Sequence, residues 1–186
     1  FAANAGTITV SDPLYSVGKK MWTWGDGPFG KAWSANLTDN GDRYIELMTG
    51  VYTDNQPDFT YIMPGEVKAF TTVWYPISGI GPAKNATREA ALSLSFAGGA
   101  CQIGCIATRK RNNARVCAAH QGKQFAQAPV DIAPDRPAIL AFPLPEGARE
   151  TEIKISVYAE DGQLLVEYQP TPPGAKKRPQ ERTIPP

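Results

Sequence analysis

The chain has 186 residues, 42% hydrophobic and 20% charged, with a formal net charge of +1. That length allows one large or two small domains with a sizeable core. The balance of acids and bases excludes a chain built for polyanions, and the short Arg109-Lys110-Arg111 run reads as a solvated loop, so no nucleic-acid partner is expected.

No apolar run approaches a membrane span, so no membrane partner is expected either. The first segment, GTITV (6–10), has the β-branched content of a strand. KKMWTWGDGPFGKAW (19–33) follows; it places Trp22 and Trp24 on one strand face, with Trp33 beyond a Gly-rich turn. Such rings fill cores, and they also stack against pyranose faces. Core filling is the commoner outcome, and Gly25-Asp26-Gly27 beside the rings keeps the sugar reading open.

RYIELMTGVY (43–52) reads as a strand, whose alternation sorts its residues onto two faces. Ile45, Leu47, Thr49 and Val51 form one row, expected to face a core. Tyr44, Glu46 and Met48 form the other. Tyr and Met beside a carboxylate suggest a partly dry cleft, where the pKa of Glu46 would rise toward the range useful for general acid–base chemistry. A solvent-facing glutamate is the plainer alternative. Downstream, Asn55, Gln56 and Asp58 lie in a polar cluster with Phe59. Short amides and carboxylates with a ring suit hydroxyl-rich ligands; the same residues also cap ordinary turns.

KAFTTVWYPI (68–77) is a further strand signal, and Ser78 to Thr87 is the best internal boundary. All four tryptophans precede it. After it the residues are small and the strand signals evenly spaced: AALSLSF (90–96), CQIGCIAT (101–108), ARVCAA (114–119), AILAFPL (138–144), TEIKISVYA (151–159) and QLLVEYQ (163–169). That spacing suits an Ig-like β-sandwich. Asp161-Gly162 marks the clearest hairpin. From Pro170 the composition turns to Pro, Lys, Arg and Gln, as in a linker. The 17 prolines count against long helices.

Cys101, Cys105 and Cys117 cannot all pair within one chain, and their spacing is not that of a zinc site. Reduced, buried thiols are expected, which favours a reducing compartment such as the cytoplasm. The acids are too scattered for a metal site, and no cofactor is expected. No signal peptide is visible. The start at Phe1 and the linker-like end suggest a piece of a longer polypeptide.

YIEL, followed by VYTDNQPDFTYIMPGEVKAFTTVWYPI, resembles the C-terminal part of the galactose-mutarotase-like family. Pro64-Gly65-Glu66 and Thr71-Thr72-Val73-Trp74-Tyr75 fit its pattern, and Glu46 falls where that family keeps its catalytic glutamate. Leu47-Met48 depart from the family's Thr-Gln. The family's histidine partner has no counterpart here, because His120 is the only histidine and lies in the downstream module.

A closer likeness is to the bacterial DUF5107 domain, found in large proteins where tetratricopeptide repeats follow. GKKMWTWGDGPFGKAW (18–33), LTDNGDRYIELMTGVYTDNQPDF (37–59) and WYPISGIGPAKNA (74–86) carry it.

The resemblance implies an all-β chain. Its first part, 1–80, would hold the last strands of a mutarotase-like supersandwich. An Ig-like β-sandwich would span 81–170, with a linker over 171–186. It also implies a carbohydrate-binding or carbohydrate-processing region of a larger protein. Glu46 would be the acid–base group, with Tyr44, Asn55, Gln56, Asp58, Trp22, Trp24 and Trp33 as sugar contacts. The expected partners are a carbohydrate and the remainder of the parent polypeptide. The alternative is a non-catalytic module joining a supersandwich to helical repeats. The isolated chain is expected to be inactive; under the first reading an epimerase-like or glycosidase-like activity on sugars would belong to the parent.

Overall fold

The alternation in AALSLSFA dictates a strand with two different faces, and the computed structural model shows what each face meets. It describes residues 3–53, 60–172 and 174. The strands are β1 (Ala5–Ser11), β2 (Lys20–Thr23), β3 (Ile45–Met48), β4 (Thr72–Ser78), β5 (Ala83–Ala86), β6 (Ala90–Ala97), β7 (Ala100–Ala107), β8 (Arg111–His120), β9 (Lys123–Ile132), β10 (Ala138–Pro143), β11 (Ile153–Tyr158) and β12 (Leu164–Tyr168). One α-helix, α1 (Pro28–Leu37), and a 3-10 turn at Glu150–Glu152 complete the described elements. The chain is therefore all-β in class. None of the described helices is long and apolar enough to cross a membrane.

Two units divide the chain. The first comprises Phe1–Ile8 with Trp74–Pro186, the second Thr9–Val73. The first unit is a two-layer sandwich. One sheet has the order β10-β7-β6-β5 and the other β12-β11-β8-β9, with every neighbouring pair antiparallel. Ala90, Leu92 and Leu94 of β6 turn inward to meet Ile103, Val116, Ile153, Ile155, Val157 and Leu165. Fully burying each large aliphatic side chain contributes roughly 1.5–3 kcal/mol, which makes this core the main source of stability.

The opposite face of β6 and β7 is covered as well. Ala91 and Ile106 pack with Ile77 and Ile80, and Ile8 and Tyr75 flank them. Close approach there requires Gly104, since a Cβ would lie 2.7 Å from the Ile80 carbonyl oxygen. The two sheets are laced together along one side. Thr87 Oγ1 donates to the Leu165 carbonyl at 2.6 Å, and Asn85 Nδ2 donates to that of Glu167 at 2.7 Å.

The hairpins follow turn chemistry. Gln121 and Gly122 both have positive φ between β8 and β9, as a tight two-residue turn demands. Strand β9 is not among the segments expected from the sequence. Its run KQFAQAPVDI is poor in β-branched residues and contains Pro129. It is an edge strand, where a missing N–H is tolerated. The expected buried thiols hold for Cys101 and Cys105, while Cys117 is half-buried; all three are free.

The second unit is built differently. Here β2 and β3 form a sheet of only two strands. The Ile45–Leu47 row, expected against a core, is 57% and 42% exposed. The phase of the strand is as expected, but a two-stranded ribbon has no opposing layer among the described residues to cover that face.

Candidate functional site

The β2–β3 register places Trp22 opposite Glu46 and Lys20 opposite Met48. Cross-strand partners share a face, so Trp22 and Glu46 stand side by side on the ribbon. Tyr44, just before β3, donates its hydroxyl to Glu46 Oε2 at 3.3 Å. Partial loss of water around the phenol, then the Glu46 charge and this hydrogen bond, hold Tyr44 above the ordinary phenol pKa. Glu46 itself is exposed. The partly dry cleft expected around it is therefore not what the described residues provide, because β3 is covered on neither face.

Helix α1 was expected only as a Gly-rich turn. Gly27 stands at the N-cap in extended conformation and Pro28 opens the helix, where its fixed φ is already helical. Gly30 and Ser34, one turn apart, are its buried residues. A Cβ on Gly30 would lie 2.3 Å from the Gly25 carbonyl oxygen and 2.4 Å from that of Trp24, so only glycine lets the helix lie on the β2 exit. Ser34 Oγ accepts the Tyr44 N–H at 3.3 Å, which ties the helix to the start of β3. Asp26 and Arg43 add an exposed ion pair at 3.2 Å.

This seating brings two tryptophans together. Trp24 and Trp33 stack with centroids 4.8 Å apart and planes 12° from parallel. Phe29 meets Trp24 edge-on at 6.0 Å and Trp33 at 6.3 Å. The rings are not core residues: Trp22, Trp24 and Trp33 are 41%, 44% and 38% exposed. The second unit therefore holds Tyr44, Glu46, Trp22, Trp24 and Trp33 on one ribbon-and-helix assembly. Asn55, Gln56 and Asp58 lie outside the described residues.

Chemically, the assembly offers a carboxylate with a phenol donor beside it and an exposed aromatic pair. The first can accept and orient hydroxyl groups; the second can cover an apolar ring face. A separate cleft of about 390 Å³ in the same unit is lined by Leu14, Tyr15, Val51, Val67, Lys68 and Ala69. It went unnoticed in the sequence because its lining is drawn from three separated segments.

His120 belongs to the first unit. Its Nε2 lies 3.2 Å from Glu152 Oε2. Arg149 also engages that carboxylate through its side chain and its backbone N–H. The arrangement closes the β8–β9 hairpin end onto the 3-10 turn.

Residues 85–168 match a family model described as the YphG-like protein, second domain. The matched span starts in β5 and ends with β12, so it takes in both sheets of the sandwich. That part of the chain is similar to the second domain of YphG-like proteins. The match leaves Trp22, Trp24, Trp33, Tyr44 and Glu46 outside it. No solved structure matches the chain.

Proposed function

We propose that this chain is a carbohydrate-binding or carbohydrate-processing β region of a larger bacterial protein. The observation that carries the reading is the stacked, solvent-facing Trp24–Trp33 pair, seated on the same small assembly as the Trp22–Glu46 face. A sugar would lay its apolar face on the rings and direct hydroxyls toward Glu46 and Tyr44. Asn55, Gln56 and Asp58 belong to the proposed contact set through their residue chemistry. In the parent protein Glu46 would serve as the acid–base group, as the mutarotase-like and DUF5107 resemblance implies. We also propose module boundaries at 1–80, 81–170 and 171–186; the start of the family match at residue 85 and its end at 168 support them, whereas residues 1–8 and 74–80 belong with the sandwich in one compact unit.

A glycan array probed with this chain and with the longer protein tests the reading. Trp24→Ala should remove any signal. Glu46→Gln should weaken binding by about one charged hydrogen bond, ~1.5–3 kcal/mol, and abolish turnover wherever turnover exists, because an amide cannot shuttle a proton. Arrays silent for both proteins would sink it.

A second reading, a structural module of the parent polypeptide, has its own support. Among the described residues of the second unit the buried positions are small, such as Ser16 and Ser34, while Met21, Phe29, Ile45, Leu47 and Val67 stay exposed. A surface of that kind suits burial by further protein. Hydrogen exchange in residues 9–73 that slows strongly in the longer protein, with silent arrays, would favour this second reading.

A further inference from the structure

Strand β8 carries one extra residue where it passes Asp131. Arg111 pairs with Ile132 and Ala114 with Val130, so Asn112 and Asn113 together face a single residue of β9. Bulges of this kind re-aim side chains and recur beside functional sites. Asn113 sits in the left-handed region at φ +49°. Two bonds hold it there: its N–H donates to Asp131 Oδ1 at 3.0 Å, and its Nδ2 donates to Glu160 Oε1 at 3.1 Å. Nearby, Ala133 and Arg136 exchange backbone hydrogen bonds at 3.0 and 3.1 Å, which pins the Pro134-Asp135 turn.

Two clefts flank this bulge, of about 200 and 330 Å³. Lys110 and Asn112 line both. Asp131, Asp135 and Arg136 complete the polar lining of the first, and Arg111, Glu160 and Asp161 that of the second. In the first cleft two cations face two carboxylates; in the second the Arg111 guanidinium is already paired with Glu89 at 2.6 Å and Lys110 faces Glu160 and Asp161, so each cleft presents both signs of charge. The side chains of Lys110, Asn112 and Asp135 engage no hydrogen-bond or ion-pair partner among the described residues. Their donors and acceptors are therefore available.

We propose that these paired clefts bind a neutral, hydroxyl-rich ligand, one sugar unit in each, with Asn112 between them. An amide, an ammonium and a carboxylate together offer the donors and acceptors that vicinal hydroxyls require. The second cleft lies just inside the ~300–1,000 Å³ range of small-ligand clefts and the first falls below it, so neither has room for more than a single unit. The pinned bulge and turn fix the walls in advance, so little ordering cost falls on binding. The site lies wholly in the sandwich and does not depend on the Trp22–Glu46 face.

Amide spectra of the isotopically labelled chain should be recorded with glucose, galactose, mannose, maltose, lactose and cellobiose, each up to its solubility limit. At least one should give saturable shifts confined to 110–114, 131–136 and 160–161. Asn112→Ala should weaken that binding about tenfold, as expected for a lost hydrogen bond, and Asp135→Ala should do the same. Indole signals of Trp22, Trp24 and Trp33 report the other surface separately, so either site can fail alone. Absence of saturable shifts in the bulge region with all six sugars overturns the proposal. So do shifts there that the two substitutions leave unchanged.

Discussion

Replacing Gly104 with alanine tests how the outer face of the β6–β7 sheet is closed. The added Cβ would lie 2.5 Å from Ser93 Oγ, 2.7 Å from the Ile80 carbonyl oxygen and 2.9 Å from Ile80 Cβ. Carbon contacts are most favourable near 3.5–4.0 Å, so each approach is short by roughly an ångström. Ser93 could rotate, but its hydroxyl is engaged in donating to the same Ile80 carbonyl. Ile80 itself cannot easily retreat. Gly79 N–H donates to the Asn4 carbonyl at 2.8 Å, and Gly81 N–H donates to Asn4 Oδ1 at 3.0 Å, so Asn4 holds the backbone on both sides of it. Overpacking typically costs ~1–3 kcal/mol, while removing a strand glycine returns ~0.5–1 kcal/mol. The net expectation is a loss of about 1–2 kcal/mol. For a domain near one hundred residues, each kcal/mol lowers Tm by ~4–8 °C. Thermal and urea unfolding of the two proteins would read this directly. An unchanged or raised midpoint for G104A would refute the view that Ile80 is clamped onto the sheet.

Three further outcomes follow from the first unit. The hydrogen bond from the Arg149 side chain, then the Arg149 N–H and the His120 and Gln121 contacts, depress Glu152 to about 2. A depressed carboxylate contributes its stability fully above its unfolded value and loses it on acidification, here as pH falls from 4.5 to about 2. Glu152→Gln should flatten that part of the urea-midpoint profile and leave the neutral region little changed in slope; an unaltered acid limb would disprove the linkage. Thr87→Val strips the hydroxyl from the Leu165 carbonyl and from the N–H groups of Glu89 and Ala90, and should cost ~1–3 kcal/mol in equilibrium unfolding. Burial pushes the Cys105 thiol up to about 12, and Cys101 and Cys117 are raised by the same cause. Native thiol labelling should therefore be slow, with half-buried Cys117 first, and fast labelling of Cys105 would contradict its placement.

Much of the sandwich was legible because its strands carry the period-two signal in full. AALSLSF, CQIGCIAT and TEIKISVYA each alternate or run apolar, and each became a strand with an identifiable inner row. Strand β9 was hidden because pairing, not propensity, makes it a strand: it is zipped along β8 from His120 to Arg111 despite Ala, Gln and Pro. Helix α1 was hidden for the opposite reason. Two glycines and a proline near its start look like a turn in one dimension, yet one glycine caps the helix and another lets it touch the β2 exit.

The candidate sugar face shows the deeper limit. Alternation assigned Ile45 and Leu47 to one side and Glu46 to the other, and the register with β2 agrees with that phase. Periodicity reports which side of a strand is apolar; it does not report what lies against it. In the sandwich the apolar rows of β6 and β7 meet a second sheet on one face and Ile77 and Ile80 on the other, so pattern and burial coincide. In the ribbon the same kind of row meets no second layer among the described residues, and Trp22, Trp24 and Trp33 remain partly in water with it. The aromatic character that made these residues conspicuous is compatible with two physical ends, stacking on a ligand or burial by further protein. Only the first requires a ring face to stay accessible when the chain is placed in its longer protein. Solute quenching of tryptophan fluorescence in the two contexts separates them: access retained at Trp24 and Trp33 supports ligand stacking, and access lost supports burial.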